Sequence, residues 1–226
     1  MQNINTSSGI EKGVNLGFPR LVVEFEPSVF HELFDFQIAR VILDQLGPAV
    51  TALGDVICEH NLHTDVAVNL LHKHFDIRKF EVVVRKIRDG KASIQPYKYK
   101  DDKSLDLLPY LWQYTDGPRG RLFYPLEYAE YLPAEIDAAT RQIDKIASSK
   151  SFLAEFSKCL WDLGLEDIFG IAALESRRSL IIPSGHELLE TTDSKNRVLT
   201  LEAVAENTLA DSDTTETLWT FTPSND

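Results

Sequence analysis

The stretch Asp65–Ile87 reads DVAVNLLHKHFDIRKFEVVVRKI and holds the longest β-like pattern of the chain, together with two of its six histidines. We interpret Val66–Phe75 as a strand, in which successive side chains point to opposite faces of a sheet. Both faces carry apolar residues, which is typical of a strand inside a sheet. This alternation places His72 and His74 on one face and Lys73 on the other.

A second strand is predicted from Phe80 to Ile87, because its three consecutive valines have high β propensity. The four residues Asp76–Lys79 separate it from the first strand, and a connection of this length is typical of a hairpin. Asp89-Gly90 is a turn signal after the second strand. The stretch therefore predicts an antiparallel hairpin in which Val66–Phe75 and Phe80–Ile87 are neighbours.

Helices are expected where apolar residues recur at helical spacing. Ser28 is the expected N-cap of the first, and Gly164 is the expected end of the fourth. The predicted helices run from Ser28 to Ile42, from Pro48 to about Asn61, from Pro133 to Ile146 and from Ser151 to Leu163, with a further short one at Asp167–Leu174.

The remaining strands are expected on both sides of the later helices, where β-like runs are bounded by turn formers. They are Arg20–Glu26, Ala92–Gln95, Leu108–Tyr114, Arg121–Leu126, Leu180–Ile182, Glu187–Thr192, Val198–Val204 and Thr217–Thr222. This separation of helices from strands predicts an α+β fold. We expect a flexible segment over residues 1–18 and one domain over residues 19–226, with a mainly antiparallel sheet of hairpins and helices packed on one face.

The composition is that of a soluble, acidic globular protein. The chain has 226 residues, 43% of them hydrophobic, and a formal net charge of −12. This charge argues against duplex nucleic acid and anionic membranes as partners, because both require a basic surface. No apolar run approaches the ~20 residues that span a bilayer, and the N-terminal residues lack the apolar core of a secretory signal. We expect a cytoplasmic location, which suits a chain with only two cysteines.

His72 and His74 are candidate catalytic residues. On a strand their Cβ atoms would be roughly 7 Å apart, so both could reach one ligand or water without a direct hydrogen bond between them. Imidazole titrates near neutral pH, which suits general acid–base catalysis. We expect His72 to be the deeper of the two and the better general base, because burial and a nearby carboxylate tune its pKa.

A divalent metal ion of the zinc type is the second chemistry that the histidines suggest. His60 and His63 are three residues apart and share a face if the second helix reaches them. Since that helix leads directly into the predicted strand, the pair could join His72 and His74. Imidazoles grouped in this way bind first-row metals. No motif in the sequence requires a cofactor.

Aromatic residues are concentrated in and after residues 108–126, which we interpret as a hairpin or an edge segment of the sheet. Of these, Trp112, Tyr114 and Tyr124 are candidate ligand-binding residues, because aromatic side chains commonly line apolar pockets. The other interpretation is that they fill the core of the domain.

The segment Ala67–Asp76, AVNLLHKHFD, resembles a short motif with a Leu-His-x-His-Phe core in a group of uncharacterised fungal proteins. Gly164–Asp167 and the predicted hairpin Glu187–Leu201 are similar in character. The resemblance covers about the central third of the chain, and the group has no known function that it would imply here.

Three functional hypotheses follow from these observations. The first is a protein with a small-molecule pocket and a histidine-centred acid–base site, with isomerase, cyclase or hydrolase chemistry. The second is a non-catalytic protein-interaction module in which the histidines are structural. The third is a histidine-rich site for a divalent metal. The expected partner is accordingly a small molecule or another protein.

Overall fold

The structure is a computed structural model, and it describes residues 25–98, 107–174, 183–206 and 215–223. The predicted flexible segment 1–18 and the predicted strand Leu180–Ile182 lie outside these ranges, as does most of the predicted strand Arg20–Glu26.

Five helices and nine strands are found in the described residues. The helices are α1 (Pro27–His31), α2 (Phe36–Leu43), α3 (Gly47–Glu59), α4 (Ile136–Ser148) and α5 (Lys150–Leu163). The strands are β1 (Val66–Leu70), β2 (Glu81–Arg88), β3 (Lys91–Lys98), β4 (Leu107–Gly117), β5 (Gly120–Glu130), β6 (Phe169–Ala173), β7 (His186–Asp193), β8 (Val198–Ala205) and β9 (Leu218–Trp219).

All nine strands belong to one curled sheet with the order β7-β8-β3-β2-β5-β4-β6-β1-β9. Every pair of neighbours is antiparallel except β2 and β5, which are parallel. The helices lie on one side of the sheet. The expected α+β domain with a mainly antiparallel sheet is therefore confirmed.

The predicted hairpin between Val66–Phe75 and Phe80–Ile87 is wrong. Strand β1 ends at Leu70 and pairs with β6 and β9, whereas β2 pairs with β3 and β5. After β1 the chain turns toward the first helices, and the Lys73 N–H donates to the Phe34 carbonyl over 2.9 Å. Residues 71–80 therefore form a loop that leaves the sheet. The apolar faces of β1 are covered by partners distant in sequence, which local patterns do not reveal.

Several local predictions are confirmed. Asp89 and Gly90 join β2 to β3 in a tight turn, with φ of 52° and 76°. Gly164 ends α5 in the left-handed region with φ of 65°, where the lack of a Cβ favours glycine. The hairpins β4–β5 and β7–β8 form as expected.

Three other predictions need correction. The first helix is interrupted between α1 and α2, and its N-cap is Glu26, with Pro27 in the first turn, in place of Ser28. Residues 167–174 contain β6 where a short helix was expected, and all five residues of this strand are buried. A run as short and apolar as Phe169–Ala173 does not distinguish helix from strand by periodicity.

Two apolar clusters occupy opposite faces of the sheet. The helix-side cluster joins α3 and α5 to β1, β4 and β6, and its large buried members include Leu53, Ile57, Trp112, Phe152, Phe156 and Phe169. The inner cluster lies on the other face and includes Val83, Ile94, Tyr110, Tyr124, Leu126, Leu199 and Leu201. The curl of the sheet encloses this second cluster.

Residues 215–223, which we call the C-terminal segment, connect the sheet edge to α3. Strand β9 within it pairs with β1, and the Trp219 ring meets Phe169 edge-on with centroids 5.7 Å apart. The Phe221 ring covers Gly54 so closely that a Cβ on this glycine would come within 2.2 Å of it. This contact explains a glycine in the interior of α3.

No single helix in the described ranges is both long enough and apolar enough to cross a membrane. Helices α2 and α3 meet the length and composition criteria only when taken together, and they are bent by 89° relative to each other.

Phe156→Ala should destabilise the protein by about 3–5 kcal/mol, because it removes a fully buried ring and leaves a cavity between α5 and the sheet. Urea titration measures the effect. The control is Leu163→Ala in the same helix, where the side chain is 48% exposed and the expected loss is below about 1 kcal/mol. A loss that small for Phe156→Ala would contradict the packing.

Candidate functional site

His72 and His74 lie in the loop that follows β1 and not on the predicted strand. They nevertheless point toward each other, with their Nε2 atoms 2.8 Å apart. Strand geometry would have separated them too far for this hydrogen bond, but the loop conformation permits it. The loop is also fastened farther along, where the Arg197 guanidinium donates to the Asp76 carbonyl over 3.2 Å.

The hydrogen bonds around the two imidazoles define one set of tautomers. The His72 Nδ1–H donates to the Leu70 carbonyl over 2.8 Å, which leaves Nε2 of the neutral ring as an acceptor. That atom accepts from the His74 Nε2–H. The remaining His74 nitrogen, Nδ1, accepts from the Thr192 hydroxyl over 2.9 Å. This assignment gives every ring nitrogen a partner.

Glu190 on β7 is the third member of the group, and the sequence analysis missed it. Its Oε2 atom lies 4.0 Å from the His72 Nε2 and 3.7 Å from the His74 Nε2. Its other oxygen, Oε1, accepts from the Thr217 hydroxyl over 3.3 Å. No local signal identifies this residue, because β7 carries several other acidic and polar side chains.

The three facing atoms are arranged around a common point. A triangle with sides of 2.8, 3.7 and 4.0 Å has a circumscribed circle of about 2.1 Å radius, so one point in the plane of the three atoms lies about 2.1 Å from both Nε2 atoms and from the Glu190 Oε2. Tetrahedral bonds of this length place the donors about 3.4 Å apart, so a bound ion would separate the two hydrogen-bonded Nε2 atoms by about 0.6 Å and draw the carboxylate closer. Zinc bonds to imidazole nitrogen and carboxylate oxygen are about 2.0–2.2 Å long. Within the described part of the chain, no other three His, Cys, Asp or Glu side chains bring their donor atoms within 4.8 Å of one another.

Burial favours the neutral form of both imidazoles. It lowers the pKa of His72, against the smaller opposing effect of the hydrogen bond to the Leu70 carbonyl. It lowers the pKa of His74 to about 3, with a further contribution from the neighbouring His72. Burial also raises the pKa of Glu190, and the Thr217 hydroxyl and the charge of Arg85 oppose that shift.

Further charged residues lie near this group on the inner face of the sheet. The Arg85 guanidinium stacks over the Tyr110 ring, with Cζ 4.8 Å from the centroid. Burial raises the pKa of the Glu127 carboxyl to about 7, where Arg85 acts to lower it and Glu190 to raise it. The inner face therefore combines two imidazoles of lowered pKa, two carboxyls of raised pKa and the Arg85 guanidinium.

Phe36, at the start of α2, covers the imidazoles from one side. Its ring centroid is 5.0 Å from that of His72 and 6.2 Å from that of His74, onto which it stacks. This apolar wall contributes to the burial that lowers the two histidine pKa values.

His60 and His63 do not join this group. The His60 Nε2–H donates to the Glu155 carboxylate on α5 over 2.9 Å, and its ring meets Phe152 edge-on. Strand β1 lies between the two histidine pairs, and five residues of extended chain span about 13 Å. The structure therefore brings together only His72 and His74 of the four.

The three candidate ligand-binding aromatics are buried in the two clusters. Trp112 and Tyr114 belong to the helix-side cluster, and Tyr124 belongs to the inner cluster. The Tyr124 hydroxyl donates to the Gly120 carbonyl and accepts from the Arg119 N–H. Their role in ligand binding remains a prediction. A surface pocket of about 250 Å³ between the β4–β5 hairpin and the end of α5 has a different lining, namely Thr115, Asp116, Arg121, Trp161, Glu166 and Asp167.

Comparison with known proteins gives no match for this chain among family models, curated proteins or solved structures. The resemblance to the fungal group with a Leu-His-x-His-Phe motif thus stays a prediction.

The lowered pKa of His74 should make the metal-free protein less stable in acid. Its imidazole has a pKa of 6.5 when unperturbed and about 3 when folded, so between these values protons bind preferentially to the unfolded chain. Above about pH 6.5 this group does not change the free energy of unfolding. As the pH falls below that value, the free energy of unfolding decreases by at most about 1.4 kcal/mol per pH unit.

Urea titrations with chelator at pH 7 and pH 5 test this effect. The loss of stability should be about 1–2 kcal/mol larger for the unmodified protein than for His74→Gln. The raised pKa values of Glu127 and Glu190 act with the opposite sign, and the lowered pKa of His72 acts with the same sign. All three groups are present in both proteins, so the difference between the two losses reports mainly on His74. Equal losses in the two proteins would show that His74 titrates normally.

Proposed function

We propose that this protein binds one divalent metal ion of the zinc type through His72, His74 and Glu190, and that the open coordination position serves hydrolytic chemistry on a small molecule. The observation that supports the proposal is the single point about 2.1 Å from the three donor atoms. Two imidazoles and one carboxylate are a common ligand set of catalytic zinc, in which a fourth position is left for water.

The hydrogen-bond partners of the two imidazoles also suit a metal site. Metal-bound histidines usually donate their other ring N–H to a carbonyl or another oxygen, which fixes the ring. The His72 Nδ1–H already donates to the Leu70 carbonyl in this way. For His74, the proton would move from Nε2 to Nδ1 and be donated to the Thr192 hydroxyl, which is 2.9 Å away.

A metal centre fits the protonation of the site better than acid–base catalysis by the histidines alone. An efficient acid or base has a pKa near the working pH. Burial lowers the pKa of His72, the expected general base, and lowers that of His74 to about 3, so both imidazoles are weakened as bases. Metal ions, in contrast, require neutral imidazoles. A bound zinc ion lowers the pKa of its water to about 7, which favours hydrolysis among the three reaction types considered.

The interaction module with structural histidines remains the second candidate. The hydrogen bonds to Leu70, Thr192 and between the rings favour it, because they already give all four ring nitrogens a partner. In that case the network stabilises the loop after β1 and has no affinity for metal.

The proposal includes a cytoplasmic location. Cys58 and Cys159 are both free thiols, which suits a reducing compartment.

Metal titration of the chelator-treated protein tests the metal centre. We expect one Co²⁺ or Zn²⁺ per chain, seen as Co²⁺ absorption bands and by elemental analysis. Zn²⁺ at 100 times its Kd should raise the free energy of unfolding by about 2.7 kcal/mol. His72→Gln and Glu190→Gln should fold and lose this response.

His60→Gln is the matched control, since His60 is paired with Glu155 and lies beyond β1. It should bind metal as the unmodified protein does. If His72→Gln instead destabilises the chelator-treated protein and neither protein responds to metal, the histidines are structural and the proposal is wrong.

A further inference from the structure

We infer that Thr217 is a positioning residue of the metal centre, and that docking of the C-terminal segment therefore sets the metal affinity. This inference rests on the proposed function. It concerns a residue far from both histidines in the sequence and outside the set of ligands.

Thr217 is connected by hydrogen bonds to two of the three proposed ligands, Glu190 and His72. Its hydroxyl donates to the Glu190 Oε1 over 3.3 Å. Its carbonyl accepts from the Leu70 N–H over 2.8 Å. The carbonyl of the same Leu70 accepts from the His72 Nδ1–H. One residue of the C-terminal segment thus holds the carboxylate directly and the first imidazole through a single intervening residue.

The hydrogen bond from Thr217 fixes the orientation of the Glu190 carboxylate, which directs one of its oxygens at the imidazoles. With Oε1 engaged by Thr217, Oε2 is the atom directed at the two Nε2 nitrogens. The terminal torsion of a glutamate is broad, so a carboxylate without this partner rotates more freely. Groups that orient a metal ligand in this way typically change metal affinity 10–100-fold when they are removed.

Thr217 keeps its place because the rest of the C-terminal segment is docked. Strand β9 contributes two residue pairs with β1, Trp219 packs on Phe169, and Phe221 covers Gly54. The two ring contacts belong to the helix-side cluster. Metal binding and docking of the C-terminal segment both depend on Thr217. By linkage, docking must therefore strengthen metal binding by the same free energy by which metal binding strengthens docking.

Substitutions at Thr217 test its positioning role. Thr217→Val has the same shape without the donor, and it should weaken Co²⁺ and Zn²⁺ binding 10–100-fold and alter the Co²⁺ absorption bands. Thr217→Ser restores a hydroxyl and should recover most of the affinity. The control is Thr220→Val, a change at an exposed residue of the same segment, which should bind metal normally.

A substitution outside the metal site tests whether docking of the C-terminal segment affects metal binding. Phe221→Ala removes the contact with Gly54 and should also weaken metal binding. In the reverse direction, Zn²⁺ should slow hydrogen exchange at the amide of Trp219, which the strand register directs at β1, in the unmodified protein but not in Glu190→Gln. The melting temperature of each chelator-treated variant shows whether it is folded.

The outcomes separate this inference from the proposed function. If the unmodified protein does not bind metal, the proposed function is wrong and the inference fails with it. If it binds metal and Thr217→Val binds equally well, only the inference is overturned. Weaker binding by Thr217→Val that Thr217→Ser does not recover would also overturn it, because the loss would then come from altered packing.

Discussion

The curl of the nine-stranded sheet is the constraint on which the donor group depends. Strands β7 and β9 are the two edges of the sheet, and in a flat sheet they would be separated by the width of seven strands. Strongly twisted sheets of this size curl. Here the curl brings Glu190 on β7 within hydrogen-bonding distance of Thr217, the residue before β9. The loop that carries the histidines starts at the end of β1, beside that meeting point.

Burying polar groups on the inner face of the sheet is unfavourable, and hydrogen bonds to specific residues offset this effect. A buried polar group without a hydrogen bond destabilises a protein by about 1–3 kcal/mol. At this site a backbone carbonyl and the hydroxyls of Thr192 and Thr217 partner the imidazoles and the carboxylate. Nearby, Arg197 forms an ion pair with the buried Glu81, which joins the start of β2 to the β7–β8 hairpin. These bonds connect the histidine loop to the far edge of the sheet.

The burial of the donor group changes the pKa values of its side chains. The Phe36 ring and the curled sheet shield the imidazoles from water, and the same shielding lowers their pKa values while raising those of Glu190 and Glu127. All of these shifts disfavour charge on an isolated side chain. A divalent cation would reverse the preference of the carboxylate, because its positive charge stabilises the ionised form.

The sequence by itself determined several local elements of this protein, but not the strand end that lets His72 and His74 hydrogen-bond to each other. The turn at Asp89-Gly90, the end of α5 at Gly164 and the hairpins β4–β5 and β7–β8 depend on neighbours in the chain, so their patterns sufficed. Only the tertiary structure decided the partners of β1, the end of that strand at Leu70 and the role of Glu190. Thr192 is 118 residues from His74, and a contact over that distance depends on which strands pair and how the sheet curls. Strand pairing and the curl of the sheet depend on burial over the whole domain, so no local stretch of sequence encodes them.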